Sequence, residues 1–398
     1  MQRTVDFLSE EQRRIGHDVV VVTLTTTGQT GLEVTSNGVR IYRVRPGFTW
    51  FRWAWQSAAT PHHPPFPDPI VSWQLRKILK MESPDVLYAH NWMIFSYLLI
   101  KGRNSPPVLW QPHDYSVACP KKTNQFHRGE GVCPGSRMRR CLTCSTEQYG
   151  RLRGILITCG LRFSRLFYRR VDEFIPNAIP VSNSMKLILP TRTPVRIIYS
   201  AIPRSAESEA EGIDRPDFLP PNDGYICYVG NMGAYKGLGD LLEAYQILGA
   251  DAPPLVVLGI PSTTQPTHWP SGVIVRENVT HADVMKTWKH CAFGVVPSRW
   301  AEPYATVAIE CGAMGRAIIV TNVGGLPHIV KNKITGLVVP PRNPVALAAA
   351  MTYLLENPAK ASEYGAAAIQ QTKDMRLDVM SNLLLERAEI LLSSSTRP

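Results

Sequence analysis

The chain has 398 residues, of which 44% are hydrophobic and 19% are charged, and its formal net charge is +11. This length allows two or three domains, and the balance of residue types is that of an ordinary globular protein. No apolar run approaches the ~18 residues of a membrane-spanning helix, and the first residues do not resemble a signal peptide, so we expect a cytoplasmic location. The excess positive charge favours anionic partners such as phosphates, nucleic acid or a lipid surface.

Short β-branched runs that end in polar residues recur along the whole chain. They lie at residues 16–24, 84–91, 106–114, 224–231, 253–259, 291–298, 317–325 and 336–341. Buried parallel strands have this pattern, and helical patterns such as residues 238–250 and 343–356 lie between them. Strand–helix alternation that occurs twice predicts two α/β domains with parallel sheets.

An acidic, Pro-rich stretch at residues 204–223 separates the two alternating halves, and we interpret it as a linker. We therefore expect an N-terminal domain over residues 1–203 and a C-terminal domain over residues 224–375. A final helix over residues 376–398 would cross back to the first domain. Ligands of such sheets bind beyond the carboxyl ends of the strands, so the cleft between the domains is the expected site.

The strand at residues 106–114 ends with His113 and Asp114. A histidine at this position is expected to point into the cleft. A histidine packed at the strand end is the alternative. His90 ends the neighbouring strand and is a weaker candidate.

Four cysteines follow, with the spacing C-x13-C-x7-C-x2-C: Cys119, Cys133, Cys141 and Cys144. Four thiolates can close a tetrahedral structural zinc site, and the x2 pair favours one. The other spacings are irregular, so free thiols or disulfides are the alternatives.

Residues 149–170 mix Arg with Leu, Ile and Phe at roughly helical spacing. Such a helix could lie as a peripheral contact on the anionic inner face of a membrane. A basic helix packed on its own domain is the alternative. No RNA-binding module motif is present, so we expect no nucleic-acid partner.

The stretch YVGNMGAYKGLGDLLEA, residues 228–244, is typical of a strand, a glycine turn and a helix, with Lys236 on the turn. Lys236 can supply positive charge to an anionic ligand as a compact point charge. A solvated loop lysine is the alternative.

The stretch EPYATVAIE, residues 302–310, begins and ends with a glutamate. Pro303 suits the first turn of a helix capped by Glu302, which would place Glu302 and Glu310 roughly 12 Å apart along the axis. Two carboxylates that share one glycosidic bond lie closer, at about 5 to 9.5 Å. These two could instead grip both ends of a long ligand whose anion lies at the helix N-terminus. A capping glutamate with an incidental second one is the alternative.

Residues 297–351 closely resemble the C-terminal domain of the family-four retaining glycosyltransferases. The resemblance is carried by the E-x7-E element, the following small-residue helix, the V-G-G turn and the T-G-L-V-V-P-P strand, in this order. It covers about residues 10–390. It implies the GT-B fold, in which two Rossmann-like parallel-sheet domains face a cleft.

The resemblance also implies roles for the candidate residues. Glu302 would contact hydroxyls of the donor sugar, and Glu310 would contact hydroxyls of the ribose. The backbone amides of Tyr304, Ala305 and Thr306 would face the sugar phosphate. His113 would lie against the donor sugar and its reacting carbon.

The chain departs from the family pattern in its phosphate loop. The family has G-R-x4-K-G, and Gly230 and Lys236 keep this spacing, but Asn231 stands where Arg is expected. One of two phosphate cations is therefore missing. Arg299 is a candidate to compensate, and an ordinary surface arginine is the alternative. His328 replaces the usual acid after Gly-Gly, and the family's first strand with its glycine loop is also expected to be missing.

The residues and the resemblance together predict a glycosyltransferase that moves a sugar from a UDP- or GDP-sugar to a hydroxyl acceptor. The resemblance implies that the transfer retains the configuration. The acceptor would be a saccharide, a lipid-linked saccharide or a small molecule. No Asp-x-Asp motif follows a strand, so we expect catalysis without a metal or other cofactor, with Lys236 and helix dipoles neutralising the diphosphate. The predicted catalytic residues are His113, Glu302 and Lys236. A non-catalytic or degenerate nucleotide-sugar-binding protein is the alternative.

Overall fold

The computed structural model describes residues 2–25, 30–47, 63–125, 131–190 and 192–395. The chain divides into two compact units. The first unit comprises Met1–Tyr199 and Leu377–Pro398, and the second comprises Ser200–Arg376.

The first unit contains parallel strands and helices in alternation. Its strands are β1 Val20–Leu24, β2 Gly31–Val34, β3 Arg40–Val44, β4 Leu87–Ala89, β5 Val108–Trp110 and β6 Glu173–Phe174. Its helices are α1 Gln2–Arg14, α2 Pro69–Glu82, α3 Ile94–Ile100, α4 Met138–Tyr149, α5 Arg151–Ser164, α6 Ile179–Lys186 and α14 Leu377–Ser395. The described strands form two three-stranded sheets, β1-β3-β2 and β4-β5-β6, and only the pairing of β2 with β3 is antiparallel.

The second unit contains one six-stranded parallel sheet. Its strands are β7 Ile226–Asn231, β8 Leu255–Ile260, β9 Val273–Glu277, β10 Phe293–Val296, β11 Ala317–Thr321 and β12 Gly336–Val339. Its helices are α7 Ala206–Glu211, α8 Leu238–Leu248, α9 His281–His290, α10 Thr306–Ala313, α11 Leu326–Ile329, α12 Pro344–Glu356 and α13 Pro358–Thr372.

The strand order of this sheet is β12-β11-β10-β7-β8-β9, so the chain builds outward from β7 in both directions. Ligands of open α/β sheets bind where the strand order reverses, beyond the carboxyl ends of the strands. In the second unit that point lies between β7 and β10. The loops after Asn231 and Val296 are therefore placed side by side.

Both faces of the sheet are covered by apolar side chains. Ile226 and Tyr228 of β7 belong to one hydrophobic cluster, whereas Cys227 and Val229 belong to the other. Side chains alternate between the two faces of a strand. A strand that is buried on both faces therefore consists of consecutive apolar residues, and this is the pattern that predicts β7.

The predicted linker at residues 204–223 is instead part of the second unit. It contains α7, in which Ala206 and Ala210 are fully buried. Alanines four residues apart lie on one helix face and allow the close approach of α9, and an ion pair between Glu207 and Arg376 adds a further link within the unit. Ala206 and Ala210 thus form a packing face on α7, although the acidic composition of this stretch predicts a linker.

Helix α14 belongs to the first unit. Arg387 on this helix donates from Nε to Oε2 of the buried Glu173 at 3.0 Å. None of the described helices has the length and apolar character required to span a membrane.

We expect Gly365→Ala to destabilise the second unit. Ala normally stabilises a helix relative to Gly, but a Cβ at Gly365 on α13 would lie 2.0 Å from the carbonyl oxygen of Gly315. The free energy of unfolding should fall by about 1–3 kcal/mol, as for other overpacked sites. Urea denaturation measures this change.

Gly239→Ala on α8 is the matched control, because a Cβ there meets no atom within 4 Å. It should leave the free energy of unfolding unchanged or raise it by about 0.5 kcal/mol. Equal stability of the two variants would contradict the packing of α13 described above.

Candidate functional site

The loop after β7 presents Lys236. A short 3₁₀ helix, Ala234–Lys236, ends at Gly237, whose φ of 75° lies in the left-handed region. A Cβ at Gly237 would come within 1.8 Å of the carbonyl oxygen of Pro297, so this turn requires glycine. The close approach brings the loop after β7 against the loop after β10.

Lys236 and Glu302 form an ion pair, with Nζ and Oε2 2.7 Å apart. Glu302 is only 5% exposed. The same oxygen accepts hydrogen bonds from the indole N–H of Trp300 at 2.7 Å and from the Ser298 hydroxyl at 3.1 Å. A buried carboxylate requires such donors, and three of them hold it in one orientation.

The helix of the glutamate stretch begins later than the sequence predicts. It starts at Thr306, so Glu302 and Pro303 precede it and Glu302 is not its cap. The Gly325 amide donates to the Glu302 carbonyl at 2.7 Å, and a Cβ at Gly324 would lie 2.2 Å from that oxygen. This contact with a distant turn keeps residue 302 outside the helix. The two glutamates therefore do not share one helix, and the predicted axial separation does not apply.

A cavity of about 120 Å³ is lined by residues of β7 and its following loop, of the loop after β10 and of the start of α10. Its lining includes Gly230, Lys236, Ser298, Glu302, Tyr304, Ala305 and Thr306. The first N–H groups of a helix have no partners within it, so the start of α10 adds hydrogen-bond donors and partial positive charge. A cation, a carboxylate and a helix N-terminus in one cavity suit a ligand that carries both an anion and hydroxyl groups.

Two side chains considered for the phosphates are occupied elsewhere. Asn231 does not line the cavity, and its Oδ1 accepts from the Gly233 amide at 2.9 Å. Arg299 donates twice to the buried carboxylate of Asp240 on α8, at 2.7 and 2.5 Å, and these bonds raise the pKa of its guanidinium. Arg299 thus links the loop after β10 to α8. It does not supply the second phosphate cation that the family has at the position of Asn231.

Glu310 lies on α10 away from the lining of this cavity and is 6% exposed. Its Oε1 is 3.3 Å from Nε2 of His281, and Nδ1 of the same ring is 2.5 Å from Oε2 of Glu209. No local sequence pattern identifies His281 or Glu209, because α7, α9 and α10 bring together residues that are far apart in the chain. His328, the other departure noted above, is exposed on α11.

In the first unit, His113 lies beyond the end of β5 and contacts His90. Nε2 of His113 is 3.0 Å from Nδ1 of His90, and the rings stack with centroids 5.2 Å apart. Burial lowers the pKa of His90 to about 4 and lowers that of His113 well below its usual value. Both rings are therefore neutral at pH 7, and one donates to the other. The weaker candidate of the sequence analysis is thus a direct partner of the stronger one.

The four clustered cysteines are free thiols. Cys141 and Cys144 are buried on α4, and burial raises the pKa of the Cys119 thiol to about 11. Among the residues that the structure describes, no three His, Cys, Asp or Glu side chains are arranged to hold a metal ion. Structural zinc at these four cysteines stays a prediction from their spacing.

Two family models match the chain. A glycosyl transferase 4-like domain matches residues 1–178, and the glycosyl transferases group 1 family matches residues 211–371. Glycogen synthase of Mycobacterium tuberculosis (strain CDC 1551 / Oshkosh) is 24% identical over 399 residues, which is 93% of this chain and 85% of that protein.

Solved structures share the fold at low sequence identity. Sucrose-phosphate synthase from Thermosynechococcus elongatus has a TM-score of 0.72 at 17% identity, over 98% of this chain and 93% of that one. Anabaena HepE in complex with UDP has a TM-score of 0.67 at 12% identity, over 97% and 96% of the two chains. The GT-B class of two Rossmann-like α/β domains, predicted from the sequence, is confirmed.

We expect acid to destabilise the chain through the neutral histidine pair. An unfolded histidine binds a proton near its ordinary pKa of about 6.5, whereas folded His90 does so only near 4. The unfolded chain binds more protons between these values, so the free energy of unfolding falls as the pH decreases from about 6.5 to about 4. Replacing His90 and His113 with Asn should reduce this fall by about 1–3 kcal/mol in urea denaturation.

The exposed His17→Asn is the control and should leave the pH slope of stability unchanged. A slope that is the same in the double variant and in the parent chain would contradict neutral, half-buried rings at His90 and His113.

Proposed function

The chain belongs to the group 1 glycosyltransferases, and from that premise we propose that it transfers a hexose from a UDP- or GDP-sugar to a hydroxyl acceptor with retention of configuration. The observation that carries this proposal is the cavity at the start of α10. It contains Lys236 as a cation, Glu302 as an oriented carboxylate and the amides around Thr306 as further donors. The solved Anabaena HepE complex contains UDP, which supports a nucleotide-sugar as the donor class.

Lys236 is proposed to bind the donor diphosphate. Without a ligand its ammonium group is paired with Glu302 at 2.7 Å. A diphosphate carries more negative charge than one carboxylate and competes for the ammonium group. Exchange of partners would leave Glu302 free to accept hydrogen bonds from the sugar hydroxyls, while the amides of Tyr304, Ala305 and Thr306 donate to phosphate oxygens.

The leaving group is proposed to depart without a catalytic metal. The bond between the anomeric carbon and the phosphate oxygen breaks, and its electron pair stays on the phosphate. Lys236 and the N-terminus of α10 stabilise that developing charge. The acceptor hydroxyl attacks from the same side and passes its proton to the phosphate oxygen, so the configuration is retained. Glu310 is proposed to bind the ribose, and His113 to support the reacting carbon.

Donor binding and turnover test the proposal. Isothermal titration of the full chain with a panel of UDP- and GDP-hexoses should find at least one ligand, and mass spectrometry should detect its hydrolysis or transfer. Lys236→Met and Glu302→Gln should weaken binding of that donor by about 10- to 100-fold, because each removes a charge-assisted hydrogen bond.

The exposed pair Lys360 and Glu363, 2.7 Å apart in the same unit, supplies matched controls. Lys360→Met and Glu363→Gln should bind the donor as the parent chain does. Unchanged affinity in Lys236→Met and Glu302→Gln would contradict the assigned site. Binding without turnover would favour a non-catalytic nucleotide-sugar-binding protein.

We also propose that α5 and the following 3₁₀ turn, Arg165–Arg170, contact an anionic membrane that carries the acceptor. The exposed apolar side chains of this surface are Leu152, Ile155, Leu156, Phe163 and Leu166. Exposed arginines lie among them at positions 151, 162 and 169. An open apolar groove of about 440 Å³ lies beside Phe163. Apolar side chains that insert below the headgroups and arginines that contact them are typical of interfacial helices.

Sedimentation with vesicles tests this contact. Binding should be stronger to vesicles with anionic phosphatidylglycerol than to pure phosphatidylcholine, and Phe163→Ser with Leu166→Ser should weaken it by about tenfold or more. Leu187→Ser is the control, because Leu187 is 78% exposed in the same unit but lies outside this surface. Equal binding to both vesicle types, or by the double variant and the control, would contradict membrane docking by α5.

A further inference from the structure

A histidine joins two glutamates in the second unit. His281 is the first residue of α9, and its ring lies 2.5 Å from Oε2 of Glu209 on α7 and 3.3 Å from Oε1 of Glu310 on α10. The side chains of His281, Glu209 and Glu310 are 14%, 28% and 9% exposed. The three residues therefore form a mostly buried link between α7 and α10, which we call the His281 bridge.

The geometry of the His281 bridge indicates the protonation state of the ring. Carboxylate oxygens accept hydrogen bonds, so a ring nitrogen can bond to one only if it carries a hydrogen. The neutral imidazole has one N–H group, whereas the imidazolium has two. Nδ1 faces Glu209 and Nε2 faces Glu310, so only the imidazolium satisfies both carboxylates.

The other acidic groups near the bridge have partners of their own. On α9, Asp283 accepts from the hydroxyl and amide of Thr280 at 2.7 and 3.1 Å. On α7, Glu207 is paired with Arg376, and Glu211 is 3.4 Å from Lys289. Glu209 and Glu310 are therefore the carboxylates whose bonds depend on the charge of the His281 ring.

The remaining groups on the helices and strand that pack against α9 do not supply negative charge. Cys227 on β7 and Cys311 on α10 are buried, which raises the pKa of each thiol well above its ordinary value and keeps it neutral. The N-terminus of α9 carries partial positive charge, which opposes an imidazolium at its first residue. The attraction of the two carboxylates must outweigh this repulsion.

We propose that His281 is a positioning residue for Glu310, and that its proton controls the affinity for the nucleotide. The inference rests on the proposed contact between Glu310 and the ribose. The imidazolium holds Oε1 of Glu310, which leaves Oε2 to accept hydrogen bonds from ribose hydroxyls. It also cancels one of the two negative charges of the bridge, in the unit proposed to bind an anionic donor.

A rise in pH removes one ring proton, so one carboxylate loses its hydrogen bond to the ring and the charge of the bridge changes from −1 to −2. Glu209 keeps a hydrogen bond from the Ser205 hydroxyl at 2.9 Å, whereas the ring is the side-chain donor to Glu310. A buried carboxylate without a donor is unfavourable, and the added negative charge repels a diphosphate. The affinity for UDP or GDP should therefore fall as the pH rises, by about tenfold across the titration of the ring.

Isothermal titration of the full chain with UDP and GDP, at about pH 5.5 and about pH 8.5, tests the inference, since histidine ordinarily titrates between these values. His281→Gln should weaken binding about tenfold at the lower pH and leave only the pH dependence that comes from the terminal phosphate of UDP or GDP, whose second pKa is about 6. His281→Lys keeps a cation at both pH values and should retain affinity at both. Glu209→Gln should preserve affinity at the higher pH, because a neutral ring can then accept from the amide and donate to Glu310.

His290→Gln is the matched control. His290 ends the same helix, and its Nδ1 is 3.0 Å from the carboxylate of Asp223. This variant should bind nucleotide with the affinity and pH dependence of the parent chain. Thermal melting of each variant separates a loss of fold from a loss of binding.

The ring itself can be observed by NMR. A long-range ¹H–¹⁵N spectrum, with His281 assigned by the peak lost in His281→Gln, should show two protonated nitrogens at the lower pH. A neutral tautomer there would overturn the bridge, whether or not nucleotide binds. Equal UDP or GDP affinity in the parent chain and His281→Gln at both pH values would overturn the positioning role and leave the proposed function intact. No binding of any nucleotide or nucleotide-hexose by the parent chain would overturn both.

Discussion

The ion pair between Lys236 and Glu302 is the interaction around which the site of the second unit is arranged. It joins the loop after β7 to the loop after β10, two strands that are neighbours where the strand order reverses. A buried carboxylate needs donors and a partly buried ammonium needs acceptors, so each holds the other in place. The topology of the sheet decides where the site lies, and the ion pair decides which ligand chemistry it suits.

Local patterns in the sequence predict both members of this pair. Lys236 follows a strand and a glycine turn, and Glu302 precedes a helix of small residues, so each is identified within about ten residues of sequence. The start of that helix could not be predicted, because the Gly325 amide holds the Glu302 carbonyl from a turn far along the chain. The partners of Arg299 and Asn231 could not be predicted either. Packing between loops decides whether a side chain faces a ligand or a neighbouring residue, and the local sequence does not determine that packing.

Continuous apolar runs predict eight of the twelve described strands. β2 is not predicted because all four of its residues are exposed, and β6 is not predicted because it has only two residues. β3 and β9 are also not predicted, because charged residues interrupt their apolar runs. Helix α7 was mistaken for a linker, since its charged residues outnumber the two alanines that pack. The His281 bridge joins residues 29 and 72 positions apart, so no local pattern could reveal it. Sequence thus predicts elements and short motifs well, but it does not predict which distant side chains meet.

Contacts of Arg299 also connect the loops after β7 and β10, in addition to the ion pair between Lys236 and Glu302. The Arg299 amide donates to the Tyr235 carbonyl at 3.0 Å, and the Arg299 guanidinium is anchored on Asp240 of the helix that follows the first loop. The position of the loop after β10 therefore depends on a carboxylate that lies outside the cavity. Loss of the Asp240 carboxylate would remove the acceptor of both guanidinium hydrogen bonds of Arg299 and weaken the attachment of that loop to α8.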